Sequence, residues 1–225
     1  MFLKAFQNEF QRRGIDKPVA AVVTQVLVSK DDPAFLKPSK PIGSFLDKAT
    51  AMQRQHENGW SVVEDAGRGW RRTVPSPKPL RIIDKVAIMR LIGADFVVIG
   101  VGGGGIPVIE DGDGELVGVE AVIDKDFASA LLATSLGASL LLISTAVEKV
   151  ALHFGTAHQK WLNRMTLVEA RAYLAQGHFA AGSMGPKIKA ALSFLEHGGT
   201  EVLITNLDNI ARALTGETGT RIVQA

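Results

Sequence analysis

The sequence predicts an α/β fold in which a mostly parallel sheet is covered by helices. Four aliphatic and β-branched runs, Val19 to Val28, Val97 to Val101, Leu140 to Ile143 and Val202 to Thr205, have the near-continuous apolar character of strands buried on both faces. Helical stretches lie between them: Asp84 to Gly93, Phe127 to Leu136, Thr166 to Gln176 and Lys187 to His197. Such alternation is the pattern of strands joined by helical crossovers. At 225 residues and 46% hydrophobic, the chain is long enough to bury a large core as one domain over residues 1–225.

Taken in order, the first element is a helix, because Phe2, Phe6 and Phe10 recur at helical spacing and Gly14 is placed to cap its C-terminus. Residues 31–79 break the strand–helix rhythm with Pro, Gly and charge, and are read as a protruding sub-lobe. Within it, Gly59 to Glu64 and Trp70 to Val74 are strand-like and flank Gly67-Arg68-Gly69, which predicts a hairpin. Ala130 to Val147 has no charge, the length at which a membrane span is considered. Gly137 interrupts it and Ser135, Ser139, Ser144 and Thr145 dilute it. A helix, a glycine turn and a buried strand are therefore expected.

Composition excludes several classes of function. A net charge of +2 from 25 basic and 23 acidic residues, well mixed, offers neither a face for nucleic acid nor a polybasic tail for a membrane. Without cysteine there is no disulfide framework, zinc–thiolate site or cysteine nucleophile, which fits the cytoplasm. Charge appears too early in Met1-Phe-Leu-Lys for a secretory signal.

The chemistry-bearing residues are lysines and glycines. Lys125, expected to follow an apolar strand, lies between Asp124 and Asp126, and a lysine fixed by carboxylates suits the neutralisation of phosphate oxygens; a structural salt bridge is the alternative. Asp126 is equally an N-cap of the next helix. Gly102, Gly103, Gly104 and Gly105 follow a strand, where open α/β sheets bind ligands and backbone N–H groups approach anions closely. No Gly-Lys-Ser/Thr ends this run, so it is not a P-loop. Lys187 opens a helix after Met184-Gly-Pro186, and a cation there is electrostatically poor unless an anion lies nearby. Lys189 reads as solvated. Lys40 precedes Pro41 in the sub-lobe, where by itself it reads as a surface residue. Arg68 and Arg71 either attract anions or pack the hairpin. His153, His158, His178 and His197 are scattered and read as surface or packing residues.

Six ordered blocks carry a more specific signal: Ser39-Lys-Pro-Ile-Gly43, Glu64-Asp-Ala-Gly-Arg-Gly-Trp-Arg71, Val74-Pro-Ser-Pro-Lys-Pro79, Gly102-Gly-Gly-Gly-Ile-Pro107, Gly118-Val-Glu-Ala-Val-Ile-Asp-Lys-Asp-Phe-Ala-Ser129 and Gly177-His-Phe-Ala-Ala-Gly-Ser-Met-Gly-Pro-Lys187. Together they resemble carbamate kinase. The resemblance implies a three-layer α/β/α amino acid kinase fold, homodimers, and the reversible reaction of ATP with carbamate to give ADP and carbamoyl phosphate with Mg²⁺. It further implies that Lys40 and Lys125 neutralise the transferred group, Lys187 the nucleotide phosphates, and Asp126 sets their geometry. Gly102 to Gly105 would line the carbamate or phosphoryl site. Lys125, Thr145, Ala146, Val147, Met184 and Lys187 would contact the nucleotide, although some relatives have Gly and Asp where this chain has Ala146 and Glu148. The family pattern begins with a Gly-Gly-Asn strand and a His-Gly-Asn-Gly-Pro-Gln segment; neither occurs here, so an N-terminally truncated version of the fold is expected. Two other readings stay open: a truncated, non-catalytic chain that binds nucleotide or pairs with a subunit, and another amino acid kinase. The proline-flanked Lys40 argues against the second.

Overall fold

A computed structural model describes residues 1–65 and 67–225 of the chain. Ala66, in the Glu64 to Arg71 block, lies outside the described residues. The chain divides into two compact units, Met1–Lys125 and Asp126–Ala225.

The first unit opens with α1 (Phe2–Arg13), which ends at Gly14 in the left-handed conformation, φ 64°, that a Cβ disfavours. The single strand expected over Val19 to Val28 is two strands, β1 (Val19–Ala21) and β2 (Gln25–Val28). There follow β3 (Lys40–Leu46), α2 (Lys48–Asn58), β4 (Ser61–Glu64), β5 (Trp70–Val74), β6 (Pro79–Ile82), α3 (Lys85–Gly93), β7 (Val97–Ile99), β8 (Ile106–Glu110) and β9 (Leu116–Gly118). β1 runs parallel to β7, and β2 parallel to β8. Thr24 makes the break between β1 and β2. Its buried hydroxyl donates to the Val22 carbonyl and accepts from the Val101 N–H, each at 2.9 Å, and its carbonyl accepts from the Ile106 N–H at 2.8 Å. Both strand pairs are thus interrupted at one level, and the glycine run occupies the interruption between β7 and β8. β6 and β9 extend the second pair on either side, both antiparallel.

Within residues 31–79, β3, β5 and β4 form an antiparallel sheet in that order, with the expected hairpin present as β4 and β5. Ala51 of α2 is fully buried. Asp65 closes the hairpin, accepting from Arg71 at 3.1 Å and Arg68 at 3.0 Å; these bonds hold its carboxyl below the usual carboxylate range. Both guanidiniums also lie over the Phe45 ring, 5.3 and 4.9 Å from its centroid. Arg68 and Arg71 accordingly pack the hairpin.

The second unit holds α4 (Lys125–Ser135), which starts one residue before it, then β10 (Leu140–Thr145), β11 (Val150–Leu152), β12 (Lys160–Leu162), β13 (Arg164–Thr166), α5 (Leu167–Ala175), α6 (Met184–Glu196), β14 (Glu201–Asn206), α7 (Ile210–Leu214) and β15 (Thr220–Val223). Its main sheet has the order β10-β14-β15-β13, with β10–β14 and β13–β15 parallel and β14–β15 antiparallel. Val202, Leu203, Ile204 and Thr205 of β14 are all buried, as a central strand covered on both faces requires. Ile188, Ala191, Phe194 and Leu195 of α6 join them in one apolar cluster with Val202 and Ile204. Small Ala190 and Ala191 permit close approach of the helix. Thr166 and Glu169 form a capping box that fixes where α5 starts. The uncharged stretch from Ala130 is the expected helix, a turn at Gly137 with φ 65°, and a strand. Among the described residues no helix is long and apolar enough to cross a membrane.

Candidate active site

In the first unit the glycine run is shaped by backbone demands. Gly103, Gly104 and Gly105 have φ of 68°, 105° and 86°. A Cβ on Gly104 would stand 2.1 Å from the Ile123 carbonyl oxygen, and one on Gly105 would stand 2.5 Å from a Val26 methyl. These two glycines let the turn press against β2 on one side and against the residues leading to Lys125 on the other. Gly102 and Gly103 are exposed, with open space where a side chain would be. A tight turn therefore accounts for most of the run, and the exposed pair is the part available to a ligand.

No strand leads directly into Lys125, contrary to expectation, since β9 ends at Gly118. Residues 119–124 are irregular because their backbone is held by isolated hydrogen bonds, Val119 N–H to Pro107 O and Val122 N–H to Pro75 O, and not by a ladder. Lys125 begins α4, so Asp126 is the helix's second residue and not its N-cap. A carboxylate in the first turn still complements the helix dipole. Asp124 Oδ2 accepts from Lys40 Nζ at 2.6 Å, and Asp126 Oδ2 from Lys187 Nζ at 2.8 Å. The Asp124 and Asp126 side chains are each 12% exposed, so both acceptors are largely withdrawn from water. Lys125 itself is exposed.

In the second unit Lys187 is the fourth residue of α6, whose start is set by Gly185: a Cβ there would lie 3.0 Å from the Ala180 carbonyl oxygen, which accepts from the Gly185 N–H at 2.9 Å. Just before it, a cavity of about 110 Å³ is lined by Thr145, Ala146 and Val147 at the exit of β10, by Phe154, and by the turn that carries Phe179 and Met184. Four residues assigned to the nucleotide from separate stretches of sequence, Thr145, Ala146, Val147 and Met184, thus share one cavity. Its walls are mainly apolar and aromatic, suited to a planar base.

Residues 41–206 match the amino acid kinase family. Carbamate kinase of Thermococcus kodakarensis is 50% identical over 224 residues, 100% of this chain and 71% of the relative. The chain belongs to the carbamate kinases of the amino acid kinase family. The carbamate kinase-like protein YqeA of Escherichia coli is 52% identical over 221 residues, covering 98% of this chain and 71% of that protein. The solved carbamate kinase of Giardia lamblia bound to AMP-PNP superposes with a TM-score of 0.88 at 40% identity, over 99% of this chain and 71% of that one.

For a carbamate kinase family chain, the residues that sequence reasoning missed are instructive. In the sequence Asp124 reads as one of two carboxylates that fix Lys125, because its partner Lys40 is 84 positions away. Phe154 and His178 line the cavity without having been singled out as ligand contacts. The histidines are less scattered than they read: the His153 and His178 rings meet edge-on at 4.4 Å, with Tyr173 5.8 Å from His178. An aromatic beside Gly155 in an exposed loop was the available signal for Phe154. As for a metal, no group of three or more His, Cys, Asp or Glu that could hold an ion is gathered among the described residues, and both carboxylates beside Lys125 already receive lysines. A dedicated protein cage for Mg²⁺ does not fit these side chains.

Proposed function

We propose that this chain catalyses reversible phosphoryl transfer between ATP and carbamate, giving ADP and carbamoyl phosphate, as in arginine catabolism and fermentative ATP synthesis. The observation that carries the reading is the Lys187–Asp126 pair one turn beyond the cavity of Thr145, Ala146, Val147 and Met184. Phosphoryl transfer needs positioned positive charge more than covalent chemistry, because negative charge spreads over the oxygens of the group in flight.

In this reading the base enters the apolar cavity and the phosphates extend toward the N-terminal turn of α6. The positive end of the helix dipole and Lys187 both favour an anion there. Asp126 keeps the Lys187 ammonium from straying. Lys125 and Lys40 neutralise the transferred group, and Gly102 and Gly103 line the carbamate end. Asp126 is no useful base, since the attacking carbamate oxygen is already anionic. Mg²⁺ belongs to the nucleotide here: it usually keeps several waters and binds substrate phosphates rather than an all-protein cage. A homodimer in the cytoplasm completes the proposal. It draws support from the exposed Val86, Met89 and Ile92 on α3, and sedimentation velocity would test it.

The test is ATP formation from carbamoyl phosphate and Mg-ADP by the purified chain, beside Lys125→Ala. Activity that falls at least about a hundredfold in the variant supports the assignment. Equal rates in the two would mean a contaminating kinase and would overturn it.

A further inference from the structure

Lys40 reaches Asp124 through a series of backbone contacts, not by side-chain reach alone. Ser39 N–H donates to the Val74 carbonyl at 3.2 Å, and Lys40 lies opposite Val74 in the β3–β5 ladder. The next residue, Pro75, accepts from Val122 N–H at 3.0 Å, and Asp124 follows two positions later. Between them Ile123 is buried, with its carbonyl pressed against the Cα of Gly104. The carboxylate is therefore held from both sides, by the sub-lobe strand pair and by the glycine turn. It is also the better anchored partner, its side chain 12% exposed against 36% for Lys40. A lysine stem has many rotamers, so an unheld ammonium spends most of its time away from any one position.

We propose that Asp124 is a positioning residue that holds Lys40 Nζ where it meets the transferred phosphoryl group. The inference rests on the carbamate kinase reading and adds a role that the sequence did not supply. Asp124 touches neither substrate; it acts through Lys40. The carboxylates beside Lys125 then each present a lysine, Asp124 that of the sub-lobe and Asp126 that of α6. A tie that only fastens the sub-lobe is the competing role, and it predicts different kinetics.

The experiment measures kcat and KM for ATP formation from carbamoyl phosphate and Mg-ADP in the full chain, in Asp124→Asn, Lys40→Ala and the double variant. Asp124→Asn is expected to lower kcat on the order of tenfold to a hundredfold, the scale of a misplaced catalytic group, with KM for Mg-ADP unchanged. In the Lys40→Ala background the same change should alter kcat less than about twofold, because no ammonium remains to be positioned. Equal losses in both backgrounds, or wild-type kcat in Asp124→Asn while Lys40→Ala is impaired, would overturn the inference and leave the carbamate kinase reading intact. No turnover by the wild-type chain would overturn that reading and the inference with it. Should Lys40→Ala be too slow to measure, acetylation of Lys40 followed by mass spectrometry decides: it should quicken in Asp124→Asn, and an unchanged rate counts against the proposal. Should Asp124→Asn melt early, Asp124→Glu keeps the charge and the tie but moves the carboxylate by one methylene. It should fold and still lose kcat, and full activity in it would also overturn the proposal.

Discussion

Lys187 and Lys189 stand two residues apart on α6 and have opposite surroundings. The Lys187 side chain is 14% exposed and donates to Asp126, whereas Lys189 is exposed. If Lys187 neutralises nucleotide phosphates, Lys187→Met should lower kcat/KM by about a hundredfold or more, as removal of one donor aimed at developing charge does elsewhere. Loss of a hydrogen bond to a charged group should also cost about 1.5–3 kcal/mol of stability. Lys189→Ala should change neither, and steady-state rates with thermal melts on the same samples check both. A drop in Lys189→Ala equal to that in Lys187→Met would mean that general positive charge, not a placed ammonium, is at work. In the sequence Gly185 and Pro186 mark locally where the helix begins, and the family resemblance is what sets Lys187 apart from Lys189. The sequence did not assign Asp124 to Lys40, since nothing local to either residue records a contact across 84 positions.

At the scale of an element, the glycine turn between β7 and β8 holds both a packed glycine and an open one. Gly104 has φ 105° and no room for a Cβ, while Gly102 lacks a positive φ and has open space. Gly104→Ala should therefore destabilise the chain by about 2–5 kcal/mol, combining a backbone conformation that side chains avoid with overpacking against the Ile123 carbonyl. Gly102→Ala should stay within about 0.5 kcal/mol of the parent, as surface substitutions do. Its effect should appear instead as a raised KM for carbamoyl phosphate. Denaturant titration and initial rates read the two quantities separately. A Gly104→Ala variant as stable as the parent would mean that the turn does not press on Ile123 as described. Positive φ and close approach account for most of the glycines in this turn, which a run of identical letters does not reveal.

Across the whole molecule, the parallel strands and covering helices were legible because each is written in a contiguous apolar run or in helical periodicity. The sub-lobe hairpin was legible for the same reason. The division of Val19 to Val28 into two strands was not, because it depends on a Thr24 hydroxyl that bridges Val22 and Val101. The residues proposed for the nucleotide stand out in the sequence only through family resemblance, since the cavity that gathers Thr145, Ala146, Val147 and Met184 has walls from residues 145–154 and 178–184, brought together by the second unit's own fold. That assembly yields a test over the full chain. Ligand present at about a hundred times its Kd stabilises the folded form by about 2.7 kcal/mol, which slows exchange of amides that open with the second unit by about a hundredfold. With saturating Mg-ADP, hydrogen exchange should slow most in residues 145–154 and 178–187. The sub-lobe, residues 31–79, should respond far less to nucleotide alone, because the lysine it contributes is assigned to the transferred group. Protection centred on the sub-lobe, or spread evenly along the chain, would place the nucleotide elsewhere and remove the reason for assigning Lys187 to its phosphates.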